Sequence, residues 1–411
     1  MKKIAFIIQR YGLEINGGAE LHCRQLAEKL VPYYEVEVLT TCAIDYLDWA
    51  DHYPEGVSKI NGVTVRRFKV SQVRNGNKMS LIERKTNMRN EAPRRKGLKK
   101  IFYNLLLGKC KGTTKEYTSW IMAQGPTTPA LIEYLKKNEE EYSSLIFFTY
   151  LYYPTVFGIN TNPAKTIFVP TAHDDWCIRI PLFKNIFNTP ACIMYNTESE
   201  QRMVNRLFGN ESIYSEIAGV GVDVPGQLKP INVKQKWKLT GDYILYIGRI
   251  DIIKISDEDF DFFLRYNRET KKDLKLVLIG NAYRKIPKNK NIIYLGFVSD
   301  EEKFNLLQQC IALFQPSKYE SLSMVVLEAF MMKRPVIVHA DCEVMKDHVD
   351  LSGGGFYFRE YHEFKNALQQ LINDKDNKEM GEKGKAYAES RYQWTNIVEK
   401  FRYAIDYKMK A

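Results

Sequence analysis

The chain has 411 residues, 45% of them hydrophobic and 27% charged. Such a length suggests two or three domains, and a composition this close to the globular average excludes fibrous and globally disordered classes. No stretch reaches the roughly 20 apolar residues of a helical membrane span, and the apolar run Ile4 to Ile8 is too short for the core of a signal peptide.

Short apolar strands alternate with longer amphipathic stretches. In the first half, strands are predicted over 2–8, 36–41, 63–68, 145–150, 166–170 and 191–196; in the second, over 243–248, 274–280, 291–296, 311–316 and 335–340. Several are β-rich runs with little alternation, as expected of parallel strands covered on both faces. Helices are predicted over 18–30, 199–207, 300–309 and 322–333, and one amphipathic helix closes the chain over 393–411. Strand followed by helix, repeated, means βαβ units and a doubly wound α/β architecture. The series breaks over 223–242, which is rich in lysine, proline and glycine and has no periodicity. The expected organisation is a Rossmann-like domain over 1–222, a linker over 223–242, a second Rossmann-like domain over 243–392, and a C-terminal helix able to return to the first domain. Ligands are then expected in a cleft between the domains, in loops beyond the carboxyl ends of the strands.

The charge is uneven. The net +11 is concentrated in positions 84–111, where ten basic residues (Arg84, Lys85, Arg89, Arg94, Arg95, Lys96, Lys99, Lys100, Lys109, Lys111) face only Glu91, a local +9. This insert, about 70–125 in all, also holds the apolar run 101–107. A basic flank beside a short apolar stretch fits an anionic membrane surface; a solvated insert is the alternative. Nucleic acid is not the expected partner, because no RNP, zinc-finger or helix-turn-helix signature accompanies the charge. The seven cysteines (23, 42, 110, 177, 192, 310 and 342) are odd in number, widely spaced and without a CxxC pair. Neither a disulfide framework nor a zinc site is expected, and the expected location is the reducing cytoplasm.

Two loops carry chemistry. Arg249 and Lys254 leave the end of one predicted strand, with Gly248 allowing a tight exit. Two cations so placed can grip a diphosphate and offset its charge as it leaves, although a surface salt bridge would also explain them. After the strand ending near 316, Glu320 falls in a turn, Ser321, Leu322 and Ser323 are expected to start the helix, and Glu328 lies inside it. Helix-start amides favour an anion, and Ser321 or Ser323 is expected to cap them. Glu328, in the apolar run MVVLEAF, suits two ribose hydroxyls, since a carboxylate only accepts hydrogen bonds; the alternative is a solvent-facing carboxylate paired with a lysine.

These pieces, together with NGGAE (16–20), AGVGVD (218–223) and YLGF (294–297), resemble the retaining glycosyltransferases of family 4, which have the two-domain GT-B fold. ESLSMVVLEA (320–329) resembles that family's E-x7-E signature, and GRIDIIK (248–254) its GR-x4-K element. The resemblance runs through most of 1–40 and 166–390 and leaves out 70–125. It implies that Arg249 and Lys254 hold the donor diphosphate and that Glu328 binds the ribose. Glu320 and the amides of Ser321, Leu322 and Ser323 would face the donor sugar and phosphates, and Phe297 would abut the base. Gly17 and Gly18 would let the backbone approach a phosphate or the acceptor. His173 matches a histidine that contacts the donor sugar, with Asp174 or Asp175 to orient it. Glu320, His173, Arg249 and Lys254 form the expected catalytic set. Relatives usually carry glycine where this chain has Ile255, and many carry glycines where it has Ser321 and Ser323.

No DxD stands as in a metal-dependent transferase, because Asp257, Asp259 and Asp261 fall in a predicted helix. The implied reaction is therefore metal-independent and needs no cofactor. A sugar would move, with retention, from a nucleoside-diphosphate sugar to a glycan or lipid-linked acceptor, as in assembly of bacterial surface polysaccharide at the inner face of the cell membrane. A nucleotide-sugar epimerase and a non-catalytic sugar-nucleotide or glycan-binding protein are the alternatives on the same fold.

Overall fold

A computed structural model describes residues 1–91, 114–373 and 377–406. It divides into two compact units, residues 1–218 with 398–411 and residues 219–397. Residues 92–113 of the basic insert, including the apolar run 101–107, lie outside the described residues.

The first unit is built on an eight-stranded sheet in the order β3-β4-β2-β1-β5-β6-β7-β8. Its strands are β1 Lys3–Ile7, β2 Glu35–Thr41, β3 Gly56–Ile60, β4 Val63–Phe68, β5 Ser144–Phe148, β6 Thr166–Val169, β7 Cys192–Tyr195 and β8 Tyr214–Ile217. All neighbours pair in parallel except β3 with β4. The central strands are buried along their length, as continuous apolar runs require when helices cover both faces. Helix Gly18–Leu30 buries Cys23, Leu26, Ala27 and Leu30 on one side. The sequence reading missed β3, an exposed edge strand, and β8. The β3–β4 turn is Asn61–Gly62, both at positive φ, the signature of a tight hairpin. Helix Trp394–Asp406 sends Asp406 to the Tyr34 hydroxyl and to Lys2 in this unit.

The second unit holds a six-stranded parallel sheet in the order β11-β10-β9-β12-β13-β14. The strands are β9 Tyr243–Ile247, β10 Lys275–Ile279, β11 Ile292–Gly296, β12 Leu313–Gln315, β13 Val336–His339 and β14 Gly355–Phe358. β14 was not foreseen. Phe314, Phe358 and Phe364 pack ring against ring in its core.

In each unit the chain begins in the middle of the sheet and builds outward in both directions. The order reverses between β1 and β5 in the first unit and between β9 and β12 in the second. Such a reversal opens a crevice at the carboxyl ends of the strands, because the two connecting helices leave on opposite faces.

Candidate functional site

In the second unit the two motif loops leave the two strands that flank the reversal. The loop after β9 starts at Gly248, whose carbonyl oxygen would lie 2.1 Å from a Cβ at Gly280. Only glycine at 280 lets the β9 and β10 exits pass this closely. Asp251 then winds the loop: its Oδ1 accepts from the amides of Ile253 (3.0 Å) and Lys254 (2.9 Å). Ile255 is fully buried in the hydrophobic core and fastens the far end. Ile255 thus serves the loop as an apolar anchor. Tyr246 donates to the Arg249 carbonyl at 2.5 Å, and the Arg249 guanidinium lies 3.6 Å from Asp251.

Lys254 is carried to the other motif loop. Its Nζ donates to Glu320 Oε1 at 2.7 Å and to the Tyr319 carbonyl at 2.9 Å. The loops after β9 and β12 are therefore joined by an ion pair. Arg249 shares the loop of Lys254, and Phe297, after β11, is 65% exposed.

The helix after β12 runs Met324–Met331, two residues later than predicted at its start. Leu322 is not helical; it lies in the preceding turn with its side chain buried. Ser323 is the N-cap residue, but its hydroxyl caps nothing: at φ 63°, ψ 74° it is left-handed, a geometry in which the side chain does not reach the first-turn amides. Glycine at this position would relieve the constraint.

Glu328 is buried rather than solvent-facing, and it does pair with a lysine. Its Oε1 accepts from Lys303 Nζ at 2.8 Å. Its Oε2 is buried and has no hydrogen-bond partner, and neither does Ser323 Oγ. Burial pushes the Glu328 carboxyl above its ordinary range, with Lys303 opposing. A buried carboxylate oxygen without a donor is costly, and a ligand hydroxyl is a donor of the right kind. Lys303, on helix Asp300–Gln309, was not singled out from sequence, which gave only its place in a predicted helix.

Two buried histidine and glutamate contacts were also missed. His348 Nε2 lies 2.7 Å from the Leu322 carbonyl. In the first unit, Glu200 accepts from the amides of Ala172 and Asn196, fixing the exits of β6 and β7. Burial pushes the Glu200 carboxyl up to about 8.

The other sequence-selected residues lie in the first unit. Gly17 caps helix Gly18–Leu30, and a Cβ there would press on the Glu20 carboxylate at 2.2 Å. Glu20 is held by Arg10 and Gln9. Gly18 faces open space. His173, after β6, meets Asp175 at 3.2 Å. Asp175 in turn accepts from the Tyr150 hydroxyl (3.1 Å) and the Ile178 amide (3.0 Å). Asp175 is thus the orienting carboxylate, while Asp174 pairs with Arg179. Among the described residues there is no group of three or more His, Cys, Asp or Glu able to hold a metal, and no helix long and apolar enough to cross a membrane. The six described cysteines are buried thiols, none in a disulfide.

The architecture is that of the GT-B glycosyltransferases, two Rossmann-like parallel-sheet units in one chain. Residues 229–388 match the family model described as glycosyl transferases group 1. Among solved structures, the chain is similar to a sucrose-phosphate synthase from Thermosynechococcus elongatus, at 14% identity, TM-score 0.68 and 98% of both chains covered. It is also similar to Anabaena HepE in complex with UDP and glucose, at 14% identity, TM-score 0.65, and 98% of this chain and 99% of that one. WaaG, a glycosyltransferase involved in lipopolysaccharide biosynthesis, matches at 12% identity and TM-score 0.60, over 98% of this chain and 100% of the other. No curated protein sequence matches the chain.

Proposed function

We propose that the protein is a glycosyltransferase that takes its sugar from a nucleoside-diphosphate donor bound on the second unit. The observation that carries this reading is the junction of the β9 and β12 loops, through Lys254 and Glu320, at the point where the strand order reverses. A cationic loop, a helix start and a buried acceptor oxygen are the three things a nucleoside diphosphate needs. Arg249 and Lys254 would hold the pyrophosphate, with the amides of the 321–323 turn on the same anion. Glu328 Oε2 would accept from a ribose hydroxyl, and exposed Phe297 would meet the base. Glu320 would face the sugar. The HepE complexes hold UDP and UDP-glucose, which favours a donor of this chemistry.

As the glycosidic bond breaks, negative charge builds on the departing diphosphate. Preorganised cations stabilise that charge more than the ground state, which lowers the barrier. The reading includes retention of configuration, E-x7-E chemistry of family 4, no metal ion, and roles for His173 with Asp175, and for Gly17 and Gly18, on the acceptor side. The acceptor is a glycan or lipid-linked glycan of bacterial surface polysaccharide, reached at the inner face of the membrane through the basic positions 84–111.

A thermal-shift screen of nucleotide sugars tests the donor: a ligand at 100 times its Kd stabilises by about 2.7 kcal/mol. The reading expects at least one nucleoside-diphosphate sugar to do so and to release its diphosphate when acceptor is added. A complete panel without a shift would sink it. Cosedimentation with anionic liposomes at low salt tests the membrane component, which no binding would remove.

A further inference from the structure

The turn before helix Met324–Met331 is gripped from behind by a histidine that belongs to neither motif. His348, on helix Glu343–Ser352, is 1% exposed. Its Nε2 lies 2.7 Å from the Leu322 carbonyl oxygen, and its Nδ1 lies 2.9 Å from the hydroxyl of Tyr387, on helix Asn377–Arg391. The Tyr392 hydroxyl stands 3.4 Å behind that of Tyr387. A carbonyl only accepts, so the proton is on Nε2; in the neutral ring Nδ1 then accepts from Tyr387.

We propose that His348 is a positioning residue for the anion-binding turn: by holding the Leu322 carbonyl inward, it turns the Ser323 N–H outward to a phosphate of the donor. The inference rests on the donor-site reading above. Its physical basis is the planar peptide. In a trans unit the C=O and the following N–H point in opposite directions, so a carbonyl fixed on His348 sends the Ser323 N–H to the far side. Ser323 is left-handed at φ 63°, a conformation that a residue with a Cβ leaves unless neighbours hold it there. The two buried polar atoms without partners, Ser323 Oγ and Glu328 Oε2, belong to the turn and to the helix it begins. They point to a ligand at this turn independently of the histidine.

The experiment uses the full chain and two amide substitutions. In His348→Gln the side-chain N–H can stand where Nε2 stands; in His348→Asn it reaches only as far as Nδ1, keeping Tyr387 but releasing Leu322. Isothermal titration with UDP, GDP, dTDP and ADP, each beside its own nucleoside, gives a diphosphate-to-nucleoside affinity ratio. His348→Asn is expected to lower that ratio about ten- to a hundredfold, the worth of one hydrogen bond to a charged group, with nucleoside affinity unchanged. His348→Gln is expected to stay near wild type. Equal ratios in all three proteins, or a parallel loss of nucleoside and diphosphate, would show a packing role only and overturn the proposal. If His348→Asn does not fold, His348→Met, which fills the ring's space without an N–H for the Leu322 carbonyl, is read the same way: a fallen ratio supports the proposal and an unchanged one overturns it. Wild-type protein that binds none of the four diphosphates would refute the donor-site reading itself, and this inference with it.

Discussion

Replacing Lys303 by methionine removes the cation paired with a carboxylate that is otherwise sealed in the second unit. Lys303 Nζ and Glu328 Oε1 are 2.8 Å apart, with side chains 18% and 11% exposed. At an effective dielectric of about 20, attraction across that distance is roughly 6 kcal/mol before desolvation is subtracted. Breaking a buried pair from one side costs about 3–5 kcal/mol, because the remaining charge has no partner. In a unit of this size each kcal/mol moves Tm by about 2–4 °C, so Lys303→Met is expected to lower Tm by about 6–20 °C at pH 7.5. The pH dependence has a definite sign. Burial already raises the Glu328 carboxyl, and Lys303 is the main group lowering it, so the variant's carboxyl titrates higher still. A carboxyl whose folded pKa is raised gives full stability below its unfolded pKa and loses it as pH rises through the folded value. The deficit is therefore expected to shrink as pH falls from 7.5 to 5.5, since a raised carboxyl binds its proton at a higher pH than an ordinary one. The double variant Lys303→Met/Glu328→Gln is expected to recover much of the loss at pH 7.5. Thermal unfolding followed by circular dichroism at both pH values reads this directly. Wild-type stability at both, or a deficit that grows on acidification, would refute the reasoning.

Three further outcomes follow from the same structure. Lys254→Ala, which removes the cation joining the β9 and β12 loops, is expected to lower turnover about 10²–10³-fold; it also leaves Glu320, 17% exposed, without that cation, so Tm is expected to fall too, and kinetics run well below the melting temperature check the turnover loss by itself. Ser323→Gly relieves a left-handed residue and is expected to stabilise the protein by about 1 kcal/mol, read by chemical denaturation; equal or lower stability would contradict the strain. Glu200 is raised to about 8 by burial, so its contribution is fully present below about 4.5 and is lost as pH rises through about 8. Wild-type stability is expected to fall across that window, with a smaller fall in Glu200→Ala.

Much of the fold was legible because parallel strands covered on both faces are apolar throughout, as 243–248 is. The runs 36–41 and 63–68 carry charged residues and were read from their β-branched residues instead. The missed strands lacked that signature: β3 is exposed along most of its length, β8 is half-buried, and β14 begins at a glycine. Asn61–Gly62 is a hairpin signal that the sequence reading passed over, because Val57 and Ile60 before it are too sparse to read as a strand. In the candidate site, Arg249, Lys254, Glu320 and Glu328 could be picked out because each sits at a fixed distance from a strand end. The late helix start could not, because it follows from one left-handed serine. Lys303, His348 and Glu200 were illegible for another reason. Their partners lie 25, 26 and 28 residues away, and only the folded sheet brings them together. Asp174 and Asp175 show the same limit at short range: adjacent in sequence, only one of them faces His173.

A crystal structure of the full chain with the tightest-binding nucleotide sugar would decide the matter most directly. The expected result is the pyrophosphate within hydrogen-bond reach of Arg249, Lys254 and the 321–323 amides, with a ribose hydroxyl on Glu328 Oε2. A nucleotide seated elsewhere, with Lys254 still on Glu320 and Glu328 Oε2 still without a donor, would contradict it.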